Sequence, residues 1–361
     1  MAWFQCFSNH LEALGFVASQ ADSSLFTYFD GTTIIYLLIY VDDILVTGNN
    51  SSQIAQLIAK LGSLFSMKDL GPLHYFLGME VTRTTSGFHL SHAKYIRDLL
   101  QRTHMVDCKP IQTPSSHGRR LLLHEEDHLS DATEYRSVMG ALQYLLFTRP
   151  DIAFSVNQVC QFMHSPTTVH WAAVKRILCY LKGTHDHGLL YRPSSLSITA
   201  YADADYAGDP NDSRSTGGYC IFLGSNLISW SSKKQRGVSR SSTEAEYRQL
   251  TYTATTLSWF RNLFHDLHLY LTPPQLWCDN ISALAVASNP VYQARMRHVE
   301  VDYHYVREKV TRKEIIVGYV ASPDQVADFL TKGLSSTRFQ FLISKLPVLG
   351  RPLSLRERDK P

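Results

Sequence analysis

One stretch constrains this chain more than any other: Ile34-Ile35-Tyr36-Leu37-Leu38-Ile39-Tyr40-Val41-Asp42-Asp43-Ile44-Leu45-Val46. An apolar run broken once by two adjacent acids, and resumed at once, admits few folds. It is too short before Asp42 to span a bilayer. Its β-branched and aromatic residues favour strands, so it reads as a β-hairpin with the acids at its tip. A carboxylate buried in such surroundings costs several kcal/mol unless it is paired or ligates a cation. The pair is therefore either a divalent-cation site or an Asp-Asp turn facing water; the segment alone leaves both open.

The 361 residues are 44% hydrophobic, enough to bury two or three domain cores. A net charge of +3 is compatible with nucleic acid without pointing to it. The 6 cysteines (Cys6, Cys108, Cys160, Cys179, Cys220 and Cys278) are scattered, with no C-x-x-C pair. That predicts neither a structural zinc nor a disulfide framework, hence a reducing compartment, cytoplasmic or nuclear. The 16 histidines show no H-E-x-x-H spacing, and no signal peptide is recognisable at the N-terminus.

Along the chain, Ser51 or Ser52 is expected to cap a helix with the stripe Ile54, Leu57, Ile58, Leu61, Leu64 and Phe65. Two short strands, Phe76 to Val81 and Phe88 to Leu90, meet through Ser86-Gly87, and a helix follows from about His92 to Arg102. Proline, serine and glycine between Pro110 and Gly118 mark a linker or long loop. Residues 130–183 read as helical, broken at Pro150 and Pro166. Then strands come first (Ile198 to Tyr206, Gly217 to Leu223, Leu227 to Trp230), with Gly224-Ser225-Asn226 as a hairpin signal. A long helix from Thr243 to Phe264 precedes alternating strands and helices, the last a helix from Pro323 to Leu334; residues after Ser335 read as a tail. Three meandering strands followed by this alternation describe an α/β sheet of the ribonuclease H kind.

That last region offers acids from four separate elements. Asp203 lies in the first strand and shares a face with Asp205. Glu246 heads the apolar stripe Leu250, Thr253, Leu257, Phe260 and Phe264 of the long helix, whereas Glu244 aligns with Arg248 on its polar face. Asp279 sits where a strand gives way to a helix, the edge at which α/β sheets form sites. Asp328 follows the capping pattern Ser322-Pro323-x-Gln325. Each has a plainer reading: Thr243-x-x-Glu246 as a capping box (though Ser241-x-x-Glu244 is an equally good one), Asp279 as a helix cap, Asp328 as an exposed partner of Lys332 at i+4, Asp205 as a surface acid. As an ordered set they suit a two-metal site, in which Mg²⁺ ions roughly 3.5–4 Å apart clamp a phosphodiester. Hard oxygen ligands are what Mg²⁺ prefers, and crowded carboxylates need cations.

These features come with many ordered motifs. The first part carries Leu14-Gly15-Phe16, Asp22-Ser23-Ser24-Leu25-Phe26, Tyr40-Val41-Asp42-Asp43-Ile44-Leu45-Val46-Thr47-Gly48 and Phe76-Leu77-Gly78. The middle carries Tyr135-Arg136-Ser137-Val138-Met139-Gly140-Ala141-Leu142-Gln143-Tyr144, Thr148-Arg149-Pro150-Asp151-Ile152 and Lys175-Arg176-Ile177-Leu178. The last third adds Tyr201-Ala202-Asp203-Ala204-Asp205-Tyr206-Ala207-Gly208-Asp209, Ser229-Trp230-Ser231-Ser232-Lys233-Lys234-Gln235 and Ser241-Ser242-Thr243-Glu244-Ala245-Glu246-Tyr247. Cys278-Asp279-Asn280 and Val326-Ala327-Asp328-Phe329-Leu330-Thr331-Lys332 complete the set. Together they resemble the C-terminal part of a Ty1/copia-type retrotransposon Pol polyprotein.

The resemblance implies α/β and α+β architecture in four parts. These are a partial reverse-transcriptase palm over residues 1–110 with primer-grip-like strands, a mostly helical thumb or connection over 111–195, an RNase H-like α/β domain over 196–335, and a tail over 336–361. It implies metal-binding roles for Asp203, Glu246, Asp279 and Asp328 in the RNase H site, with two Mg²⁺ or Mn²⁺ ions. Asp42 and Asp43 match the acids of the polymerase. That polymerase needs a further aspartate on a strand expected before Met1, so the resemblance implies a truncated, inactive polymerase lacking the upstream segments of its parent polyprotein. His92 stands where the family has Gln. Retroviral RNase H domains carry a mobile histidine loop before the last Asp, for which Tyr319 to Asp324 leaves no room; His298 is a weak candidate for that role, and a surface or core histidine is its plainer reading.

Nucleic-acid partners, an RNA/DNA hybrid or primer-template, would be held by their backbones. Lys233, Lys234, Arg236 and Arg240 before the long helix, and Arg295 and Arg297 later, are the basic candidates; a solvated loop is the plainer reading of each run. Trp230 reads more simply as core than as a stacking platform. The expected function is RNase H-type cleavage of the RNA strand of a hybrid. The rival reading is a catalytically inactive transposon relic or nucleic-acid-binding fragment.

Overall fold

The computed structural model describes residues 2–124, 126–288 and 300–351. Two compact units emerge. The first gathers the chain up to Phe76 together with Thr255–Leu271; the second runs from Leu77 to Ala254 and resumes at Thr272.

In the first unit, α1 (Ala2–Ala13) precedes a sheet of order β1-β2-β3-β4: β1 (Val17–Ala18), β2 (Leu25–Asp30), β3 (Thr33–Tyr40) and β4 (Asp43–Gly48), paired antiparallel. Within β3, Ile35, Leu37 and Ile39 are buried, while Ile34, Tyr36 and Leu38 are only half-buried. The apolar run thus feeds one main core, shared with Phe7, Leu11 and Phe26 and with Leu57 and Leu61 of α2 (Ser51–Leu64). Asn50, not Ser51 or Ser52, caps α2: its carboxamide oxygen accepts from Gln53 N at 3.2 Å. A two-residue strand, β5 (Tyr75–Phe76), closes this part. The segment from Thr255 belongs here because the Asp266 carboxylate accepts from Ser19 Oγ at 2.6 Å and from the amides of Gln20 and Ala21.

The second unit contains a helical layer: α3 (Ala93–Arg102), α4 (Thr133–Leu145), a 3₁₀ turn at Pro150–Ile152, α5 (Ala153–Cys160) and α6 (Thr168–Gly183). Pro150 and the Pro166-Thr167 step punctuate it, as proline's fixed φ and missing N–H require. One core unites Ile96, Leu99 and Leu100 of α3 with Leu142 of α4, Val156 of α5, and Ile177 and Leu181 of α6. The expected boundary near residue 110 is therefore absent: the apolar stripe of α3 is buried by the helices that follow it. At the base of this layer Arg149 and Asp151 are buried as a forked pair, with Arg149 Nε 2.9 Å from Asp151 Oδ1 and Nη2 2.7 Å from Oδ2. Tyr180 donates to Asp151 Oδ2 at 2.7 Å, and Arg149 also donates to Thr184.

A small sheet follows the order β14-β8-β7-β6. The hairpin β6 (Met79–Thr84) and β7 (Gly87–Ser91) closes with Thr84 opposite Gly87. β8 (Gly188–Tyr191) and β14 (Val348–Leu349) complete it. Residues 336–349 are therefore not a tail. In α10 (Ser336–Ile343) and beyond, Phe339, Leu342, Leu346 and Val348 are buried, so the segment belongs to the core.

The larger sheet has the order β11-β10-β9-β12-β13. β9 (Ile198–Ala204), β10 (Thr216–Leu223) and β11 (Asn226–Lys234) form an antiparallel meander; β12 (Gln275–Cys278) is parallel to β9, and β13 (Ile316–Tyr319) is parallel to β12. This 3-2-1-4-5 order is the ribonuclease H-like arrangement. Gly224 (φ 58°) supplies the left-handed residue of the two-residue turn between Leu223 and Asn226. Helix α7 (Ser242–Asp266) follows the meander, α8 (Ile281–Ser288) follows β12, and α9 (Glu300–Thr311) precedes β13. The expected last helix is instead two 3₁₀ turns, Ser322–Asp324 and Val326–Leu330. The Gln325 side chain, accepting from Ala327 N, restarts the chain between them.

Candidate metal centre

Four carboxylates meet at one edge of the larger sheet. Asp203 is the penultimate residue of β9 and is 1% exposed. Its partner across the ladder is Gly218 of β10, and the absence of a side chain there matters. A Cβ on Gly218 would lie 2.6 Å from Leu330 Cβ and 2.9 Å from Thr331 Cγ2, so only glycine lets the second 3₁₀ turn close over the sheet. That turn delivers Asp328, Thr331 and Lys332 to Asp203. Gln325, fully buried, fixes the approach by donating from Nε2 to Ala202 O at 3.0 Å.

Glu246 is buried on the inward face of α7, as its place at the head of the apolar stripe predicts. The cap of α7 leaves it free, because Ser241 Oγ accepts from Glu244 N at 3.2 Å. Glu244 itself differs from expectation. It pairs with Arg248 at 2.7 Å, yet it is only 1% exposed rather than on a solvated face. Asp279 directly follows β12 and is not a helix cap: Asn280 Oδ1 accepts from Ala283 N at 2.9 Å in that role. The Asp279 carboxylate is oriented by Ser322 Oγ, which donates at 2.8 Å.

Glu246, Asp279 and the Cys278 thiol present ligand atoms within 4.8 Å of one another. The Asp203–Asp328 half is bridged differently. Lys332 Nζ lies 3.2 Å from Asp203 Oδ1 and 2.7 Å from Asp328 Oδ1, while Arg338 Nη2 lies 3.1 Å from Asp328 Oδ2. The Thr331 hydroxyl donates to Asp203 Oδ2. Asp328 is thus not an exposed acid: it does pair with Lys332 at i+4, but it is buried.

The electrostatics are those of crowded like charge. Burial, reinforced by Asp328 and Asp279 and opposed by Lys332, pushes the Asp203 carboxyl up to about 6. Burial, then Asp203 and Asp279, push Glu246 well above the usual carboxylate range. Asp205, one residue past the end of β9, is also raised to about 6, mainly by burial; its carboxylate accepts from Thr216 N. It is therefore not a surface acid. Cys278 is pushed up by burial and by Glu246, so it stays a thiol. Hard oxygen donors, with no basic side chain paired to Glu246 or Asp279 among the described residues, fit Mg²⁺ or Mn²⁺.

Asp42 and Asp43 are placed differently. Tyr40 pairs with Asp43, and Val41 takes φ 51° in the two-residue loop, so both acids sit exposed at the hairpin tip. Both face water, and neither joins a three-ligand group among the described residues.

Of the basic candidates, Lys233, Arg236 and Arg240 are exposed. Lys234 is committed within the fold, 2.5 Å from Asp209 and 2.8 Å from Asp212. Arg295, Arg297 and His298 lie outside the described residues. Trp230 is half-buried and donates from Nε1 to Leu146 O at 3.1 Å, a packing role. His92 is buried with Nδ1 2.6 Å from Thr148 Oγ1, and burial holds its imidazole down at about 4. Sequence reasoning missed Arg338, which lay in the supposed tail, and the second contact of Lys332; its spacing from Asp328 was the only signal.

A reverse transcriptase (RNA-dependent DNA polymerase) family model matches residues 1–117. A retrovirus-related Pol polyprotein from transposon RE1 of Arabidopsis thaliana is 48% identical over 98% of this chain. A putative transposon Ty5-1 protein of Saccharomyces cerevisiae is 34% identical over 68% of this chain and 82% of its own length. The chain belongs to the Ty1/copia-type retrotransposon Pol family. An uncharacterized mitochondrial protein of Arabidopsis thaliana is 50% identical over 62% of this chain and 94% of its own length, so relatives of this Pol segment also occur as short proteins. Against the transposon RE1 polyprotein the chain spans only 24% of the length. No helix among the described residues is long and apolar enough to cross a membrane.

Proposed function

We propose that this Pol segment is an RNase H-type endonuclease that cuts the RNA strand of RNA/DNA hybrids, joined to a reverse-transcriptase segment that does not polymerise by itself. The observation that carries the reading is the convergence of Asp203, Glu246, Asp279 and Asp328 from four separate elements, with Asp203 raised by burial and by Asp328 and Asp279, and Glu246 by burial and by Asp203 and Asp279. Mg²⁺ or Mn²⁺ held by these four acids, two ions in the full site, would supply an activated water and neutralise charge at the scissile phosphodiester. The protein's own part is orientation. Ser322 fixes Asp279, Thr331 fixes Asp203, and the buried Gln325 fixes the turn that carries Asp328. Exposed Lys233, Arg236 and Arg240 would track the hybrid backbone.

For Asp42 and Asp43 we propose a metal-binding role alongside the other Pol segments of a parent polyprotein, because among the described residues the two exposed carboxylates meet no third ligand. The test is strand-resolved cleavage of a hybrid labelled in turn on its RNA and DNA strands, with Mg²⁺, Mn²⁺ or EDTA, beside a primer-extension assay. Metal-dependent cutting of RNA alone, without extension, is expected. Folded protein that binds the hybrid and cuts neither strand would favour the nucleic-acid-binding relic instead.

A further inference from the structure

The two halves of the acid cluster differ in what neutralises them. Among the described residues, Glu246 and Asp279 have no basic side chain at ion-pair distance, whereas Asp203 and Asp328 share the Lys332 ammonium. The Lys332 side chain is 40% exposed over a 1% exposed Asp203 and a 10% exposed Asp328, so it closes that half from the solvent side. Building on the nuclease reading, we propose that Lys332 is an internal counter-ion that keeps a divalent cation off the Asp203–Asp328 half until nucleic acid binds.

The chemistry is competition for the same oxygens. The ammonium donates to Oδ1 of both acids, Thr331 already occupies Asp203 Oδ2, and Arg338 occupies Asp328 Oδ2. A cation entering there meets oxygens already engaged and a positive charge at contact distance. Lys332 also has somewhere to go. It lines a cavity of about 440 Å³ that Arg120, Arg176, Phe154 and Gly333 also line. Arg176 donates from Nη2 to Thr113 Oγ1 at 2.8 Å, but its buried Nε meets no acceptor among the described residues. A backbone phosphate in that cavity would pair with Arg120 and Arg176 and draw the ammonium away from the acids. Substrate binding and loading of the second metal position are then one coupled event. Lys332 acts through Asp203 and Asp328, as a positioning residue.

The test counts bound Mn²⁺ on the metal-stripped full chain by electron paramagnetic resonance and calorimetry. Wild type is expected to hold one ion alone and two with a hybrid whose RNA strand carries non-cleavable 2′-O-methyl groups. Lys332→Gln is expected to hold two without nucleic acid, and Lys332→Arg to behave as wild type. The wild-type comparison needs no variant, so it decides even if Lys332→Gln fails to fold. Two ions on wild type without nucleic acid, or a single ion on Lys332→Gln, would overturn the proposal. If wild type cuts hybrid while already holding two ions alone, only the role of Lys332 falls. If it binds no Mn²⁺ and cuts nothing, the nuclease reading falls with it.

Discussion

Asp151 and Asp203 are both buried aspartates, and their surroundings drive them in opposite directions. Burial alone would raise Asp151, but the Arg149 fork and the Tyr180 hydroxyl prevail and hold it below the usual carboxylate range. At Asp203 burial prevails; one shared lysine opposes it, and two further acids reinforce it. The first acid has every oxygen engaged by donors built for it, and it holds the helical layer together. The second belongs to a group with more negative charge than the fold neutralises, and such a group is arranged for a cation. A buried carboxylate is thus informative about function only through what pairs it.

The largest effect expected from this contrast is at the paired acid. Asp151→Ala leaves the Arg149 guanidinium buried without its partner, which costs about 3–5 kcal/mol. Urea unfolding should show it, and an unchanged midpoint would mean that the network is dispensable. Metal supplies the reverse effect at the cluster. Mg²⁺ at about 100 times its Kd should stabilise the chain by about 2.7 kcal/mol. Thermal unfolding in Mg²⁺ against EDTA reads this, and Glu246→Gln should erase most of the difference while leaving the Asp151 network intact.

The third contrast is in pH. Between the unfolded value near 3.8 and the folded value near 6, Asp203 and Asp205 keep protons in the native state that the unfolded chain releases. Their contribution is therefore present at low pH and lost as pH rises through about 6 in EDTA. Asp151, depressed, has the opposite sign: its contribution is present above the unfolded value and lost as pH falls below it. His92 also opposes the cluster. Folded near 4 against 6.5 unfolded, it destabilises the chain as pH falls through that window, and His92→Gln should flatten that limb of the stability curve. The smallest effects belong to the hairpin tip. Asp42→Asn and Asp43→Asn, both exposed, should change unfolding free energy by no more than about 0.5 kcal/mol. A larger loss would show that the tip is held by contacts it does not display.

Where one periodicity dominated, the sequence was readable. The alternating strands of the meander and the stripe of α7 gave elements close to those observed, and that stripe placed Glu246 inward. Asn50 was passed over because Ser51 and Ser52 are equally good caps by composition. The segment after Pro323 looked helical because a capping pattern preceded an apolar run; the tight approach to Gly218, a long-range constraint, is accompanied by 3₁₀ turns there instead. Phe339, Leu342 and Val348 were too few to mark a core element. The Arg149–Asp151 pair and the double contact of Lys332 have no periodic signature, since each depends on elements far apart in the chain.

The most direct test of the central claim, that the buried acid cluster of the larger sheet rather than the exposed hairpin acids forms the working metal centre, is hybrid cleavage by three proteins side by side. With Mg²⁺, wild type should cut the RNA strand, Asp279→Asn should bind hybrid with unchanged affinity and cut nothing, and Asp42→Asn should cut as wild type does. Cleavage that survives in Asp279→Asn, or that disappears in Asp42→Asn, would contradict it.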